Sequence, residues 1–392
     1  MTPKPLLLVR AGEVFAPERL GSCSLLMAGD RLLACADPID LPSHLLHVLD
    51  APDTIAVPGF IDGHVHLLGG GGEGGWGTRT PELRVEEAVL GGLTTVVGCL
   101  GTDGVTRSLP ALLAKARSLE AEGLSTFLFT GSYAVPPVTL TGDVERDLLL
   151  IDKVIGAGEI AVSDHRSAQP TGDELARLAG ACRRGGMLSG KAGILMLHLG
   201  DGPKGLEPLQ RLLAETEIPR TQLLPTHVNR NPRLLEAATG YALEGGWVDL
   251  TTSGSMHPAH PGPIPAPEAL RMLLDQGVPP GSITMTSDGQ GSLPVFDTEG
   301  RLAGLEVGSV RSLHGAFREA VLGCGVALEP ALRTLTSTPA RVLGLRDRGR
   351  IAPGLRADLT LLDRRTLEVR SVIAGGRILM EDGILHARST YA

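Results

Sequence analysis

The sequence predicts an α/β protein, namely a (β/α)8 TIM barrel with a small β-sandwich formed from both chain termini. The middle of the chain alternates strand-like apolar runs with helix-like stretches, and eight such strands can be counted. Ligand-type side chains stand where several of these strands end, as in barrel active sites. Each terminus holds too few short strands for a stable sheet of its own, so we expect the two to pair. An open doubly wound sheet is the structural alternative.

The composition fits a globular enzyme and disfavours other classes. The chain has 392 residues, of which 42% are hydrophobic and 20% charged. The net charge of −8 and an aromatic content of 3% predict that nucleic acid is not a partner. No apolar run reaches the length of a signal peptide or a membrane helix, so we expect no membrane association and a cytoplasmic location.

The cysteines give a second indication of the compartment. All five are scattered, and no C-x-x-C pair occurs. This pattern disfavours a disulfide scaffold and a structural zinc knuckle, and it favours a reducing compartment.

The terminal segments are predicted to form one domain and the middle another. We assign residues 1–57 and 345–392 to the β-sandwich and residues 58–344 to the barrel. The predicted sandwich strands are 6–9, 24–27, 31–35 and 357–362, followed by a hairpin over 372–380. The predicted barrel strands are 55–61, 94–98, 125–130, 159–163, 194–198, 223–226, 248–252 and 283–286. The clearest helices between them are 108–122, 172–184, 231–245 and 266–276.

Histidines and an aspartate at strand ends predict a metal site. His64 and His66 follow an apolar run, and residues i and i+2 of a strand share a face, so both imidazoles can converge on one cation. Alone, an H-x-H pair is more often structural. However, His198, His227 and Asp288 each close a later barrel strand, and such an alignment by chance is improbable.

These motifs resemble a known superfamily. Residues 58–66 (PGFIDGHVH) resemble the metal signature of the amidohydrolase superfamily, and His198, His227 and Asp288 follow in its order. More narrowly, the chain resembles isoaspartyl dipeptidases (β-aspartyl peptidases) over essentially its whole length. The segments that carry this resemblance are 69–73 (GGGGE), 100–103 (LGTD), 130–133 (TGSY), 163–167 (SDHRS), 225–231 (PTHVNRN), 287–292 (SDGQGS) and 357–359 (ADL).

The resemblance implies a function and a set of residue roles. The function is hydrolysis of the isopeptide bond of β-aspartyl dipeptides by a metal-activated hydroxide. It implies zinc on His64, His66, His198, His227 and Asp288, with Asp288 also the catalytic base and Tyr133 the donor to the oxyanion. It implies substrate contacts from Glu73, Gly71, Thr102, Arg166, Arg230 and Ser292. One glutamate and two arginines suit a dipeptide that carries one amine and two carboxylates.

Glu159 is the main departure from the family pattern. The family places a carboxylated lysine between two metals, but counting back from Arg166 puts Glu159 at that position. A glutamate is already an anionic bidentate ligand, although it is shorter than carboxylated lysine. We therefore predict two zinc ions per subunit bridged directly by Glu159, with Gly156 and Gly158 allowing the backbone to approach. A mononuclear or weakened site is the alternative.

A second departure and three alternatives remain open. The segment 254–267, with five prolines, His257 and His260, is longer than the family loop after strand seven; both histidines are expected to be solvated loop residues. A cyclic amidohydrolase of the dihydroorotase or hydantoinase kind would share the metal set. An inactive barrel that serves as a scaffold is the alternative from another class. Manganese, cobalt or iron could replace zinc. The resemblance also implies a large homo-oligomer such as an octamer.

Overall fold

The computed structural model of this chain describes residues 5–254, 262–297, 299 and 302–390. Five strands precede the barrel: β1 (Leu6–Phe15), β2 (Arg19–Gly21), β3 (Ser24–Ala28), β4 (Arg31–Ala36) and β5 (Leu46–Pro58). The eight barrel strands are β6 (Phe60–Val65), β7 (Leu93–Gly98), β8 (Ser125–Thr130), β9 (Val154–Val162), β10 (Ile194–Leu199), β11 (Leu223–Thr226), β12 (Val248–Thr251) and β13 (Ile283–Thr286). A hairpin and four C-terminal strands follow: β14 (Ser292–Phe296), β15 (Leu302–Val307), β16 (Leu359–Asp363), β17 (Val369–Ala374), β18 (Arg377–Glu381) and β19 (Ile384–Leu385).

The helices lie between and after the barrel strands. They are α1 (Val85–Leu90), α2 (Leu109–Ala121), α3 (Val144–Leu150), α4 (Gly172–Ser189), α5 (Glu207–Glu215), α6 (Pro232–Leu243), α7 (Ala266–Asp275), α8 (Ser312–Leu322), α9 (Leu328–Arg333) and α10 (Ser337–Val342). Among the described helices, none is long and apolar enough to cross a membrane.

Hydrogen bonds close the eight parallel strands into a barrel. Strands β6 to β11 form one parallel sheet in chain order, and β12 pairs with β13. The backbone NH of Val228, just after β11, donates to the carbonyl of Asp249 in β12 at 3.2 Å. At the junction of β13 with β6, the NH of Asp288 donates to the carbonyl of His64 at 3.1 Å. The predicted barrel is confirmed, and two of the predicted metal ligands, His64 and Asp288, form this last junction.

Side-chain caps fix the starts of three of the four predicted helices. Ser108 accepts a hydrogen bond from the NH of Ala111 at the start of α2, and Asn231 caps α6 in the same way. Thr171 forms a capping box with Glu174 at the start of α4, so the backbone NH groups of both residues have a side-chain acceptor. These helices follow directly from local sequence signals.

The first barrel strand differs from the prediction. The sequence suggested one run over 55–61, but β5 ends at Pro58 and β6 begins at Phe60. Between them, the NH of Gly59 donates to the carbonyl of Asp358 at 2.9 Å. A Cβ on Gly59 would lie 2.3 Å from Oγ1 of Thr94, so only glycine fits this junction. The chain thereby passes from the terminal sheet into the barrel within one residue.

The fourth barrel strand also differs, because it surrounds Glu159 instead of beginning there. In the pairing of β9 with β10, Leu195 faces Ala157 but Leu197 faces Ile160. One residue of β10 therefore faces two residues of β9, which is a β-bulge. A Cβ on Gly158 would lie 2.8 Å from Cβ of Met196, so the close approach needs glycine. Bulges redirect side chains, and this one turns Glu159 toward the barrel interior.

The two termini share one nine-stranded sheet, which forms the β-sandwich. Its central pairing joins β5 to β16 antiparallel, with Ala56 facing Leu361. On its other side β5 pairs in parallel with β1. This sheet buries its own apolar cluster, which includes Val9, Leu25 and Leu361.

The sheet also carries one disulfide, which the cysteine pattern did not predict, since it disfavoured a disulfide scaffold and favoured a reducing compartment. Cys23 and Cys35 are bonded across the antiparallel pair of β3 and β4, and their Cα atoms are 5.9 Å apart. That distance falls in the usual range for disulfides. Scattered spacing along the chain did not indicate this pair, because only strand register brings the two residues together. The remaining cysteines, Cys99, Cys182 and Cys324, are free.

Candidate metal centre

The predicted metal ligands converge at one mouth of the barrel. His64 lies in β6 and His66 directly after its end, His198 lies in β10, and His227 follows β11. Asp288 lies two residues beyond β13, and Glu159 projects from the bulge of β9. The carboxyl ends of parallel barrel strands meet at one face, which explains why residues so distant in sequence come together.

Two of these residues have strained backbones. His227 has φ of 64° and Asp288 has φ of 53°, both in the left-handed region that non-glycine residues avoid. Such conformations cost about 1–3 kcal/mol each and concentrate at functional sites. With these backbone conformations, His227 contacts Glu159 and Asp288 contacts His66.

Glu159 stands between two pairs of histidines. Its Oε1 lies 2.6 Å from Nδ1 of His198 and 2.9 Å from Nε2 of His227. Its Oε2 lies 3.3 Å from Nε2 of His64 and 3.8 Å from Nε2 of His66. Asp288 joins the second pair, because its Oδ1 lies 3.0 Å from Nε2 of His66. Each carboxylate oxygen of Glu159 thus faces its own set of imidazoles.

The donor set fits divalent cations. The Nε2 of His64, Oε2 of Glu159 and Oδ1 of Asp288 are all buried and, apart from their ion-pair contacts within the cluster, have no hydrogen-bond partner among the described residues. Unpaired buried polar atoms are costly, and three that point into one space indicate a site for a cation. Imidazole nitrogens with carboxylate oxygens are typical ligands of zinc and related metals.

The charges of the cluster are strongly coupled. Burial opposes ionisation of Glu159, but His64 and His198 hold the pKa of this carboxyl well below its usual value. Burial would likewise lower the pKa of His64, yet the charge of Glu159 raises it well above the usual value. Burial, with His198 nearby, lowers the pKa of His227 to about 3. His227 is therefore neutral, the form that binds metal ions.

A buried aspartate supports the cluster from below. Oδ2 of Asp249 accepts hydrogen bonds from Oγ1 of Thr226 at 2.7 Å and from Oγ1 of Thr286 at 2.6 Å. Thr226 in turn lies 3.4 Å from Nδ1 of His64. Burial raises the pKa of Asp249 to about 6, although its threonine partners oppose the shift. This chain of contacts fixes the ring of His64.

A second network surrounds His198. The hydroxyl of Tyr133 lies 2.8 Å from Nδ1 of His198, and Oδ2 of Asp164 lies 3.0 Å from Nε2. Arg166 donates to both oxygens of Asp164, at 3.0 Å from Nε and 2.9 Å from Nη2. Burial, together with the charge of Glu159, raises the pKa of Tyr133 well above its usual value. Its hydroxyl therefore stays protonated and can donate.

A cavity of about 970 Å³ opens above the cluster. The sequence-predicted site residues that line it are His66, Gly71, Glu73, Thr102, Tyr133, Arg166, His198, His227, Arg230, Asp288 and Ser292. His64 and Glu159 lie behind this lining, with exposures of 0% and 1%. The structure therefore brings all the predicted site residues to one place.

Charged side chains line the cavity wall. Oε1 of Glu73 accepts from Oγ1 of Thr102 at 3.0 Å and from Nη1 of Arg166 at 3.4 Å. The Nε of Arg230 is buried without a hydrogen-bond partner among the described residues, so its NH group is available to donate to a ligand. Gly71 packs beside Ser292, and a Cβ on it would lie 2.4 Å from the carbonyl of Thr78.

One residue at the cluster was not predicted. Cys99 directly follows β7 and lies with His64, His66 and Glu159 in a group that could hold a metal ion. Like His227, Cys99 directly follows a barrel strand, but a lone thiol at such a position is more often part of an apolar core. His257 and His260 of the proline-rich segment lie outside the described residues.

Comparisons with known proteins agree with this geometry. Residues 313–380 match the Amidohydrolase family. The β-aspartyl dipeptidase of Fervidobacterium islandicum AW-1, solved in complex with the β-Asp-Leu dipeptide, is 43% identical with a TM-score of 0.91, covering 100% of both chains. A second structure of β-aspartyl dipeptidase from that organism is 41% identical with a TM-score of 0.88, covering 98% of this chain and 100% of the other.

A curated relative matches a shorter region. The adenine deaminase of Methylobacterium sp. (strain 4-46) is 46% identical over 74 residues, which are 19% of this chain. The match spans only 13% of that enzyme's length.

The barrel, its metal-ligand cluster and the family match together define a metal-dependent hydrolase of the amidohydrolase superfamily. The full-length likeness at 43% identity narrows this class further. The chain belongs to the isoaspartyl (β-aspartyl) dipeptidase family.

Proposed function

We propose that this protein hydrolyses the isopeptide bond of β-aspartyl dipeptides with the help of divalent metal ions. The observation that carries the proposal is that the metal-ligand cluster and three charged side chains lie together at one cavity. A buried cluster of histidines and carboxylates stands beside Glu73, Arg166 and Arg230, whose charges complement those of such a dipeptide. The full-length likeness to a β-aspartyl dipeptidase that binds β-Asp-Leu supports the same substrate class.

Two metal ions would be held on either side of Glu159. His64, His66 and Asp288 would hold one ion, and His198 and His227 the other, with the two oxygens of Glu159 shared between them. When bound, such ions lower the pKa of a coordinated water and polarise the scissile carbonyl. The contacts of Glu159 to both histidine pairs support this arrangement.

Ionic contacts would orient the dipeptide. Glu73 would hold the free α-amino group, assisted by Thr102, which already donates to it. Arg166 donates from Nε and Nη2 to Asp164 and from Nη1 to Glu73, so a substrate carboxylate would bind at Nη1 in competition with the 3.4 Å contact to Glu73. Arg230 would take the other carboxylate, because its Nε is unpartnered. Gly71 and Ser292 would contact the bound backbone. Fixing both ends in this way would place the amide above Asp288.

Asp288 and Tyr133 would carry the proton and the developing charge. Burial raises the pKa of Asp288, but His64 and His66 outweigh it and hold the pKa below the usual range, so the carboxylate is ionised. It would accept a proton from the attacking water and deliver it to the nitrogen of the leaving amino acid. The protonated hydroxyl of Tyr133 would donate to the oxyanion of the tetrahedral intermediate.

A substrate panel tests this function. Protein depleted with a chelator and then reloaded with zinc should hydrolyse β-Asp-Leu. It should leave α-Asp-Leu, hydantoin and dihydroorotate essentially unchanged. Turnover of the cyclic amides in preference to β-Asp-Leu would overturn the substrate assignment. Full β-Asp-Leu activity after complete metal removal would overturn the metal-dependent reaction.

Four further features belong to the same proposal. Zinc is proposed as the metal, since nitrogen and oxygen ligands suit it. We also propose a homo-oligomeric assembly, such as an octamer, and a cytoplasmic location. Finally, we propose that residues 1–57 and 345–392 form the terminal domain, and residues 58–344 the catalytic domain.

A further inference from the structure

Cys99 is a buried thiol at the edge of the metal cluster. It directly follows β7, at the same mouth of the barrel as His198 and His227, and is 1% exposed. Its Sγ lies 3.8 Å from Nδ1 of His66 and 3.7 Å from the carbonyl of Val65. On its other side it packs in an apolar cluster with Val97 and Phe129. The Cys99 side chain therefore lies between an apolar cluster and the imidazole of His66.

The distances in this corner suit a metal ion. Ligand atoms of His64, His66, Cys99 and Glu159 all lie within 4.8 Å of one another. Tetrahedral zinc with bonds of about 2.0–2.3 Å keeps its ligands roughly 3.3–3.8 Å apart, so a small inward movement completes the shell. Two of the four, His64 and Glu159, also direct unpartnered buried atoms into the same space.

We propose that Cys99 is a thiolate ligand of the metal ion that His64 and His66 hold. This inference rests on the metal centre of the proposed function. On binding, the thiol loses its proton to solvent and one metal–sulfur bond forms; no electron is transferred. The ion would then have two imidazoles, one oxygen each from Glu159 and Asp288, and one sulfur as its ligands.

A thiolate would change the chemistry of this position. Sulfur is a soft donor, so the site would favour zinc or cobalt over magnesium or manganese. The thiolate also adds one negative charge beside Glu159 and Asp288, which offsets more of the charge of two divalent ions. Cys99 would therefore tighten the hold on the ion and select its identity.

Spectroscopy of the metal-loaded protein tests the proposal without any variant. In the cobalt(II)-loaded protein we expect a sulfur-to-cobalt charge-transfer band in the near ultraviolet. In the zinc-loaded protein, X-ray absorption should find a sulfur scatterer at about 2.3 Å. Absence of both signals in a protein with both metal positions filled would overturn the proposal.

Variants assign the signal to one residue. Cys99→Ser and Cys99→Ala should abolish the charge-transfer band and weaken the affinity for one ion by at least about tenfold in chelator competition. Cys182→Ala is the matched control, because Cys182 is equally buried but lies in α4, outside the cluster. A band that survives in both Cys99 variants, or that disappears in Cys182→Ala, would contradict the assignment.

The outcome also separates this inference from the proposed function. A protein that binds two metals and hydrolyses β-Asp-Leu without a metal–sulfur bond would refute the role of Cys99 alone. A protein that neither binds metal nor hydrolyses β-Asp-Leu would refute both.

Discussion

Oε1 of Glu159 in β9 lies 2.6 Å from Nδ1 of His198 in the neighbouring strand β10. The contact depends on the bulge in β9, which places Gly158 and Glu159 opposite a single residue of β10. In a regular strand, a shift of one residue would turn the side chain to the other face. The bulge thus lets a short carboxylate reach a position between two histidine pairs.

Replacing Glu159 tests its bridging role. Glu159→Gln keeps the shape but removes the charge that the two metal ions would share. We expect metal content to fall from two ions per subunit to one or fewer, and kcat for β-Asp-Leu to fall at least about a hundredfold. Elemental analysis and steady-state kinetics measure both. Glu145→Gln, a surface glutamate paired with Arg184, is the control. Unchanged metal content in Glu159→Gln would contradict direct bridging.

The glutamate also predicts independence from carbon dioxide. A carboxylated lysine needs bicarbonate to form, whereas Glu159 is a carboxylate already. Apoprotein reloaded with zinc in degassed, bicarbonate-free buffer should therefore regain as much activity as with bicarbonate added. A several-fold stimulation by bicarbonate would mean that Glu159 is not the anionic bridge.

Asp288→Asn removes the proposed proton acceptor. General base catalysis contributes about 10²–10⁴-fold, so we expect kcat to fall by that factor while the fold is retained. Circular dichroism checks the fold, and metal content is measured in the same sample because Asp288 is also a proposed ligand. The exposed Asp173→Asn serves as control. Near-native turnover by a fully metal-loaded Asp288→Asn protein would show that another group moves the proton.

Glu73 is expected to recognise the free amino group of the substrate. Glu73→Gln should lower kcat/KM for β-Asp-Leu by about 10–100-fold, since charged hydrogen bonds contribute about 1.5–3 kcal/mol. N-acetylated β-Asp-Leu lacks the charge, so wild type should use it poorly, and the variant should lose little further activity on it. An equal loss on both substrates would indicate a role in shaping the loop instead.

Asp249 predicts a pH dependence of the free energy of unfolding. Its pKa is about 6 in the folded apoprotein and near 3.8 when unfolded, so the folded state binds the extra proton between these values. Wild type should therefore lose stability relative to Asp249→Asn as pH rises from about 4 to 6, by up to about 3 kcal/mol, and the difference should then stay constant. Urea unfolding of both metal-free proteins across this range measures it. A wild type that gains stability relative to the variant over this interval would contradict the shift.

The barrel and most of its ligands could be read from local patterns. Apolar runs that end in His198, His227 and Asp288 predict both the strands and the metal site. This is possible because the carboxyl ends of the parallel strands all lie at one mouth of the barrel. Ser108 and Asn231 indicate where α2 and α6 begin, because both residues are favoured at helix N-caps.

Other features depend on how neighbouring strands pair, and the periodicity of a single segment does not specify that pairing. The position of Glu159 depends on a bulge, and the disulfide of Cys23 depends on the register of β3 and β4. Cys99 was missed for a different reason. A single thiol that ends a strand is usually part of an apolar core, and only the distances to His64 and His66 distinguish it.

The pairing of β5 with β16 has a consequence for biosynthesis. During translation β5 emerges from the ribosome some 300 residues before its partner, which the chain supplies only near its end. Until then one edge of β5 is bare and able to pair with a foreign strand. We expect prematurely terminated chains that lack the last strands to aggregate, so nascent molecules depend on rapid completion or on chaperones that cover this edge.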